Sequence, residues 1–169
     1  KFVKKPVDFD NITSLFIPGV GSYDGAIMQL QEKGTFELAK KWVEENNPTL
    51  AVCLGFQLLF LGSTEGSKSG FGLFKERCVK FNEMKTPRMT WAYVDWVDNR
   101  QIKPEERYYF AHSYYVPVFE HTTAIANYGV DYTGAILKGR VEGYQFHPEK
   151  SLGYGEVLIK NFMDRYEKK

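Results

Sequence analysis

The sequence lacks the features that mark membrane-spanning, secreted and nucleic-acid-binding proteins. No apolar run approaches the roughly 20 residues that cross a bilayer, and even the run over 50–61 contains Gly55 and Gln57. The first residues show no charged, apolar and small-residue leader pattern. The 22 Lys and Arg residues nearly balance the 21 Asp and Glu residues, so a net charge of +1 favours no anionic partner. We therefore predict a protein without a membrane or nucleic-acid partner.

Cysteine and histidine are also scarce, and their spacing does not favour a metal site. The chain has two cysteines, Cys53 and Cys78, and three histidines, with no C-x-x-C or H-x-x-x-H spacing. The nucleotide-binding patterns G-x-G-x-x-G and G-x-x-x-x-G-K-S/T are absent as well. We expect no metal and no cofactor, and a reducing cytoplasm is the simplest compartment.

What is present is a succession of apolar runs and turn signals that fits one α/β domain over residues 1–169. The second half alternates apolar and polar residues and is therefore expected to be rich in strands. The pattern predicts helices over 24–42, with a break at Gly34, over 56–60 and over 155–166. It predicts strands over 14–17, 49–53, 77–81, 93–97, 108–112, 122–127, 135–137 and 141–146.

Cys53 stands where a predicted strand turns into a predicted helix. Ala51 and Gly55 place small residues two positions away on either side, as a sharp strand-to-helix turn requires. Such a turn holds the thiol above the sheet edge, and the helix start offers N–H groups that lower a thiol pKa and bind an oxyanion. Cys53 is therefore a candidate nucleophile, with an inert buried cysteine as the alternative.

His147 and Glu149 supply a candidate base and its orienting carboxylate. His147 follows the last predicted strand, and residues i and i+2 of an extended chain share a face. Glu149 can then fix the imidazole tautomer and stabilise the imidazolium formed when a thiol loses its proton. A surface or capping histidine is the alternative, but strand ends are where α/β folds place their sites.

The segment from Pro18 to Gly21 predicts a tight loop between a strand and a helix. Such a loop can cradle phosphate, but Asp24 breaks the dinucleotide fingerprint. Its backbone N–H groups, with that of Leu54, can instead face a tetrahedral oxyanion. A purely structural turn is the other interpretation.

Four segments, taken in order, resemble the class I (triad) glutamine amidotransferases. They are P-G-V-G at 18–21, A-V-C-L-G-F-Q-L-L-F at 51–60, Y-F-A-H-S-Y-Y at 109–115 and Q-F-H-P-E-K-S at 145–151. The resemblance runs from about residue 14 to the C-terminus and is closest to the glutaminase subunits of imidazole glycerol phosphate synthase. It implies a flavodoxin-like α/β fold with a mostly parallel central sheet flanked by helices, plus a smaller antiparallel sheet. It also implies hydrolysis of L-glutamine, with the ammonia passed to a cyclase subunit of a heterodimer in histidine biosynthesis.

The resemblance further implies a role for each matching residue. The triad would be Cys53, His147 and Glu149, with a glutamyl thioester formed on Cys53. The oxyanion hole would be formed by Gly19, Val20 and Leu54. The glutamine would be held by Gly21, Gln57, Glu65, Ser113 and Tyr114. The ammonia gate facing the partner would comprise Trp91, Tyr109 and Lys150, for which ordinary packing or a solvated lysine is the alternative.

The chain also departs from the family pattern. The subgroup usually has Met-Gly-Trp-Asn where this chain has Met-Thr-Trp-Ala at 89–92, so the partner-facing surface differs. A paralogue that feeds a surface-sugar amidotransferase is therefore the main alternative. Ala51 replaces the usual elbow glycine. The family begins one strand and one helix before Lys1, so the resemblance implies that both are missing here, with Phe2 and Val3 as the remnant of the second strand.

Two further classes of function are open at this stage. One is a non-catalytic scaffold or glutamine-sensing module, against which the intact Cys53, His147 and Glu149 argue. The other is a cysteine peptidase or another thiol hydrolase on a related fold.

Overall fold

The computed structural model describes residues 5–10, 12–97 and 106–166; Phe2 and Val3, the predicted strand remnant, lie outside these ranges. The helices are α1 (Tyr23–Glu32), α2 (Phe36–Glu44), α3 (Leu54–Gln57) and α4 (Leu152–Tyr166), with 3-10 turns at Pro6–Phe9 and Pro148–Lys150. The strands are β1 (Leu15–Ile17), β2 (Thr49–Val52), β3 (Phe60–Ser63), β4 (Phe74–Lys80), β5 (Arg88–Ala92), β6 (Asp95–Trp96), β7 (Tyr108–His112), β8 (Tyr114–Tyr115), β9 (Thr122–Asn127), β10 (Asp131–Lys138) and β11 (Val141–Tyr144). Among the described residues no helix is both long and apolar enough to span a bilayer.

The main sheet brings three strand ends together at one edge. Its order is β1-β2-β11-β10-β9-β6, and β1, β2 and β11 pair in parallel. The register sets Ile17 of β1 opposite Ala51, and Tyr144 of β11 opposite Val52. Because parallel strands end at the same edge, the segments that follow these three strands meet there. Those segments carry the glycine loop, Cys53 and His147.

Antiparallel strands complete the architecture. In the main sheet β10 pairs antiparallel with both β11 and β9, and β6 adds a short antiparallel strand beyond β9. Two small sheets flank it: β3-β4-β8, which is mixed, and β5-β7, which is antiparallel. This α/β arrangement with smaller sheets agrees with the predicted fold class.

Two local predictions are wrong. The helix predicted over 56–60 stops at Gln57, and Phe60 begins β3, which pairs in parallel with β4. A short apolar run fits a buried helix and a buried strand equally well, so periodicity could not separate them. The strand predicted over 93–97 shrinks to β6, and the unpredicted β5 precedes it. Most residues of β5 are exposed, so the strand leaves little alternation to detect.

Helix α4 is fixed to the main sheet by packing and by a buried carboxylate. Leu158 and Phe162 of α4 are buried in the core cluster that includes Tyr144 and Phe146. The Glu142 side chain of β11 is fully buried, and Arg165 of α4 lies 2.6 Å from its Oε1. An opposite charge at that distance offsets the cost of burying a carboxylate.

A very close backbone contact lies beside Cys53. A Cβ atom at Gly55 would lie 1.9 Å from the carbonyl oxygen of Ile17, at the end of β1. A Cβ atom at Gly19 would lie 2.4 Å from Cβ of Leu54. Helix α3 and the glycine loop therefore touch backbone to backbone, which only glycine permits.

We expect Gly55→Ala to lower the free energy of unfolding by about 3 kcal/mol, at the upper end of overpacking costs, because the added methyl group meets a backbone atom that cannot rotate away. Gly153→Ala in α4 is the matched control, since nothing lies within 4 Å of its Cβ position. That variant should be neutral or slightly more stable, because alanine favours helix. Urea unfolding followed by circular dichroism measures both; equal stability of the two variants would contradict the assigned contact.

Candidate active site

The three parallel strand ends enclose a cleft of about 230 Å³. It contains the candidate nucleophile, the candidate base, the glycine loop and parts of β7 and β8. Its lining residues are Gly19, Val20, Gly21, Cys53, Leu54, Gln57, Glu65, Pro87, Ala111, His112, Ser113, Tyr114, His147 and Lys150. Every residue predicted for the oxyanion hole and for substrate binding is in this set.

Cys53 occupies the turn that the sequence predicts. Its backbone has φ +51° and ψ −108°, a conformation that costs a non-glycine residue of order 1–3 kcal/mol. Two backbone hydrogen bonds hold it: the Cys53 N–H donates to the Tyr144 carbonyl at 2.7 Å, and the Gln57 N–H donates to the Cys53 carbonyl at 3.0 Å. The strained turn is thus fixed by β11 on one side and by α3 on the other.

The thiol of Cys53 is nearly buried and protonated. Its S–H donates to the carbonyl oxygen of Ala111 at 3.7 Å. Burial raises the pKa of Cys53 to about 12, an effect that the Leu54 N–H opposes, the Glu149 charge increases and the Lys150 charge opposes. Among the described residues no hydrogen bond joins the sulfur to His147, although both side chains line the cleft. The geometry is that of a resting thiol beside its candidate base.

His147 and Glu149 form the pair that the His-Pro-Glu spacing predicts. Nδ1 of His147 lies 2.8 Å from Oε1 of Glu149. The carboxylate can only accept a hydrogen bond when it is ionised, so Nδ1 carries the proton and Nε2 is the nitrogen that can take one up. The His147 ring is buried, and the backbone N–H of His147 donates to the Tyr109 carbonyl at 2.8 Å. The imidazole is therefore held in both tautomer and position.

The predicted oxyanion residues lie in the cleft with Cys53. Gly19, Val20 and Leu54 all line the cleft, and the contact between Gly19 and Leu54 described above joins the loop to α3. Val20 is 83% exposed, so the middle of the loop is the least constrained part of this wall. Gly21 has φ +106°, a backbone conformation that L side chains rarely adopt.

The five predicted substrate residues also line the cleft. Gly21, Gln57, Ser113 and Tyr114 lie within the set already given, and Glu65 reaches the cleft from the loop after β3. The carboxylate of Asp24 holds that loop by accepting the backbone N–H groups of Ser67 and Lys68, each at 3.0 Å. Partial burial raises the pKa of Glu65, and the Asp24 charge adds to this.

The three predicted gate residues come together near His147, whose ring centroid lies 6.3 Å from that of Tyr109. The rings of Trp91 and Tyr109 lie 5.7 Å apart between centroids, as their pairing across β5 and β7 requires. Nζ of Lys150 lies 5.9 Å from the Tyr109 ring centroid. Lys150 lines the cleft, whereas Trp91 and Tyr109 do not. The cluster thus borders the cleft on one side and the surface on the other.

Sequence reasoning missed four residues of the site. Pro87, Ala111 and His112 line the cleft, and Nε2 of Gln145 lies 3.9 Å from the Cys53 sulfur. His112 is neutral: burial lowers its pKa to about 3, with the Arg88 charge acting in the same direction and the hydrogen bond to the Tyr114 carbonyl opposing it. It is therefore a wall residue and not a second base. No spacing rule connects these four positions, although 111–112 and 145 lie inside segments that carry the family resemblance.

Comparison with known proteins places this chain in a defined family. The sequence profile of the family described as "Glutamine amidotransferase class-I" matches residues 4–165. The imidazole glycerol phosphate synthase subunit HisH 2 of Methanococcus maripaludis is 38% identical, with 89% of this chain and 80% of that protein covered. The HisH subunit of Synechococcus sp. (strain CC9902) is 39% identical, with coverages of 95% and 80%, and that of Pyrobaculum aerophilum is 38% identical, with coverages of 95% and 82%.

Solved structures support the same fold. A crystal structure titled as a glutamine amidotransferase superposes with a TM-score of 0.73 at 16% identity, covering 97% of this chain and 84% of the other. The PurLQS structure from Thermotoga maritima gives 0.69 at 20% identity, covering 93% and 81%. The chain belongs to the class-I glutamine amidotransferase family. The predicted family and fold class are thereby confirmed.

We expect the isolated chain to react slowly with iodoacetamide at Cys53. The raised pKa leaves the sulfur protonated at neutral pH, and only the thiolate is alkylated, so the rate should climb about tenfold per pH unit. No plateau should appear between pH 7 and pH 10, whereas an ordinary thiol levels off near pH 9. Mass spectrometry of the peptide containing Cys53 measures the rate separately from Cys78, and glutathione is the reference. A plateau at or below pH 8 would contradict the buried, protonated thiol.

Proposed function

We propose that this chain hydrolyses L-glutamine to glutamate and ammonia, with Cys53 as nucleophile, His147 as base and Glu149 as orienting group. One observation carries the proposal: a thiol at a strained turn after β2 and a carboxylate-braced imidazole after β11 line one cleft at adjacent parallel strand ends. Thiol, imidazole and carboxylate in these relations are the parts of a nucleophilic triad.

The steps follow from the arrangement. Nε2 of His147 takes the proton of the Cys53 thiol, and the thiolate attacks the side-chain amide carbon of glutamine. Backbone N–H groups of the loop at 19–20 and of Leu54 hold the oxyanion of the tetrahedral intermediate. The imidazolium then protonates the departing nitrogen, so ammonia leaves and a glutamyl thioester remains on Cys53. His147 next removes a proton from water, which attacks the thioester and releases glutamate and the free thiol.

The resting state argues for activation by a partner. Because the S–H group is directed to the Ala111 carbonyl and the thiol pKa is raised, the isolated chain holds its nucleophile in the unreactive form. Strand β7 carries Ala111 and also Tyr109, whose carbonyl accepts the His147 N–H. A partner that displaces β7 therefore alters the surroundings of both catalytic side chains at once.

The partner surface is an exposed apolar patch beside the gate. The side chains of Met89, Trp91 and Tyr93 are 65%, 40% and 50% exposed. Met89 and Trp91 are two positions apart on β5, so they lie on the same face of the strand. Large apolar side chains left in solvent next to a cleft are typical of a docking site. Ammonia released at His147 would leave past Tyr109 and Lys150 into the bound subunit.

We propose a cyclase subunit of imidazole glycerol phosphate synthase as the ammonia acceptor, in the cytoplasm. The support is the naming of relatives at 38–39% identity as HisH subunits of that synthase. Thr90 and Ala92, which depart from the subgroup pattern, lie within the proposed docking strand β5. These two residues favour a second candidate function, that of a paralogue that supplies ammonia to a surface-sugar amidotransferase. A pull-down that recovers the acceptor enzyme, followed by mass spectrometry, separates the two.

We expect Cys53→Ala to lower glutamine hydrolysis by at least roughly four orders of magnitude, because the thioester cannot form. Synthesis from added ammonium salt by the complex should persist, since the acceptor subunit is unchanged. Cys78→Ala is the matched control, being the other buried free cysteine. It should keep hydrolysis within a few-fold of the unsubstituted complex. Glutamine turnover in the Cys53→Ala complex would exclude Cys53 as the nucleophile.

Substitutions in the exposed patch test the docking surface. Trp91→Ala should raise the dissociation constant of the complex roughly 30-fold, as loss of an aromatic anchor does, and Met89→Ala should raise it about fivefold. Met28→Ala in α1 is the matched control, because Met28 is 47% exposed on a different element. Its dissociation constant should stay within twofold. Isothermal titration calorimetry measures all three, and equal effects of Met89→Ala and Met28→Ala would place the partner elsewhere.

A further inference from the structure

Gln145 is a fully buried amide that connects the nucleophile to the wall of the cleft. It follows β11 directly, and its backbone N–H donates to the Gly134 carbonyl at 2.9 Å. Residues i and i+2 of an extended segment share a face, so Gln145 and His147 are directed to the same side. That side is the one on which Cys53 lies, since the Nε2 atom of Gln145 is 3.9 Å from the sulfur.

The orientation of the Gln145 amide is fixed by its neighbours. Nε2 of Gln57 lies 3.0 Å from the Tyr114 carbonyl oxygen, which can only accept. The same Gln57 nitrogen lies 3.0 Å from Oε1 of Gln145. Gln57 therefore donates both of its N–H groups, one to each oxygen. With its oxygen engaged in this way, Gln145 must present its own N–H to Cys53.

The Tyr114 carbonyl that fixes this direction is itself firmly held. It also lies 2.7 Å from Nδ1 of His112, and His112 stays neutral. Nε2 of His112 lies 3.3 Å from the hydroxyl of Tyr132, so the ring has a partner on each nitrogen. Reversing the Gln145 amide would set its NH₂ group against that of Gln57 and leave the sulfur facing an oxygen. Buried amides avoid such unmatched contacts.

We propose that Gln145 assists the reaction by donating an N–H hydrogen bond to the Cys53 sulfur, which stabilises the thiolate and holds it in place for attack. This inference rests on the proposed role of Cys53 as nucleophile. A hydrogen bond to a charged acceptor is stronger than one to a neutral acceptor, so the contact gains strength as the thiol ionises. The hydrogen bond to the sulfur is present both before and after proton transfer, because Gln145 keeps the same partners throughout.

The Gln145 amide also determines which atom of the Gln57 side chain is available to the substrate. Because both N–H groups of Gln57 are used, the group left for a ligand in the cleft is its carbonyl oxygen. That oxygen accepts hydrogen bonds from N–H groups, which glutamine carries on its amide and its ammonium. Gln145 thus acts at two points: as a donor to the sulfur and, through Gln57, as a positioning residue for the substrate.

The test compares Gln145→Met with Gln57→Met in the full chain, using iodoacetamide alkylation of Cys53 across pH 7–10. Gln145→Met keeps the side-chain length but has no donor. A pKa increase of about one unit lowers the thiolate fraction tenfold, while each thiolate becomes about threefold more nucleophilic, so alkylation at a given pH should slow about threefold. Gln57→Met removes the hydrogen bond that fixes the Gln145 amide but leaves its N–H group within reach of the sulfur. Its alkylation should therefore slow less than that of Gln145→Met.

Glutamine kinetics in the complex give a second readout. Gln57→Met should act mainly on KM, whereas Gln145→Met should lower kcat as well. An unchanged alkylation profile in folded Gln145→Met overturns the proposal, and so does an equal slowing in both variants, which would indicate general loosening. Because alkylation needs no glutamine, this outcome is separate from failure of the glutaminase assignment, which a complex that does not hydrolyse glutamine would reveal.

A variant with a shorter side chain at position 145 tests the proposal if Gln145→Met does not fold. Gln145→Asn keeps an amide but withdraws the N–H group from the sulfur, so it should slow alkylation in the same direction. If neither variant folds, the side-chain amide proton resonances of Gln145 in the unsubstituted chain and in Cys53→Ala report the contact directly. A change larger than that of the exposed Gln31 amide supports it, and no change overturns it.

Discussion

The whole site depends on one close approach between backbones. Gly55 of α3 lies against the Ile17 carbonyl at the end of β1, which leaves no room for a side chain. This contact brings the start of α3 close to the sheet edge, forces Cys53 into its strained conformation and brings the glycine loop against Leu54. Parallel pairing of β1, β2 and β11 then places the imidazole segment on the other side of the thiol. The positions of the candidate nucleophile, base and oxyanion donors therefore follow from this contact together with the parallel pairing.

The same constraint sets the electrostatics. Burial under the turn disfavours the thiolate, and the negative charge of Glu149 disfavours it further. The counteracting groups are N–H donors and the Lys150 charge, which take effect as negative charge develops on the sulfur. A thiol held in this way is poorly reactive at rest, and its reactivity rises most when a neighbouring imidazole accepts its proton.

Local spacing made much of the site predictable from the sequence. The elbow around Cys53, the His147–Glu149 pair and the glycine loop are each encoded within a few residues, and the structure brings all three to one cleft. Gln145, Ala111 and His112 could not be found in that way, because their contacts join residues far apart in the chain, as Gln145 and Cys53 are 92 positions apart. The length of α3 was misjudged for a related reason: whether residues 58–63 form a helix or a strand is decided by pairing with β4. Distant partners, not local propensity, settle such cases.

Strand β7 explains how surface and cleft can act together. The Tyr109 ring of this strand contacts both Trp91 and Lys150, and the Tyr109 carbonyl accepts a hydrogen bond from the His147 N–H. The Ala111 carbonyl accepts a hydrogen bond from the Cys53 S–H group. These contacts lie on alternate residues of one short strand, so a single element joins the proposed docking patch to the candidate catalytic pair. A shift too small to disturb the core is enough to lengthen a 3.7 Å S–H···O contact, because hydrogen bonds weaken steeply with distance and angle. Under the proposed mechanism, releasing the thiol breaks one long S–H···O hydrogen bond and leaves the sulfur free to turn to the imidazole.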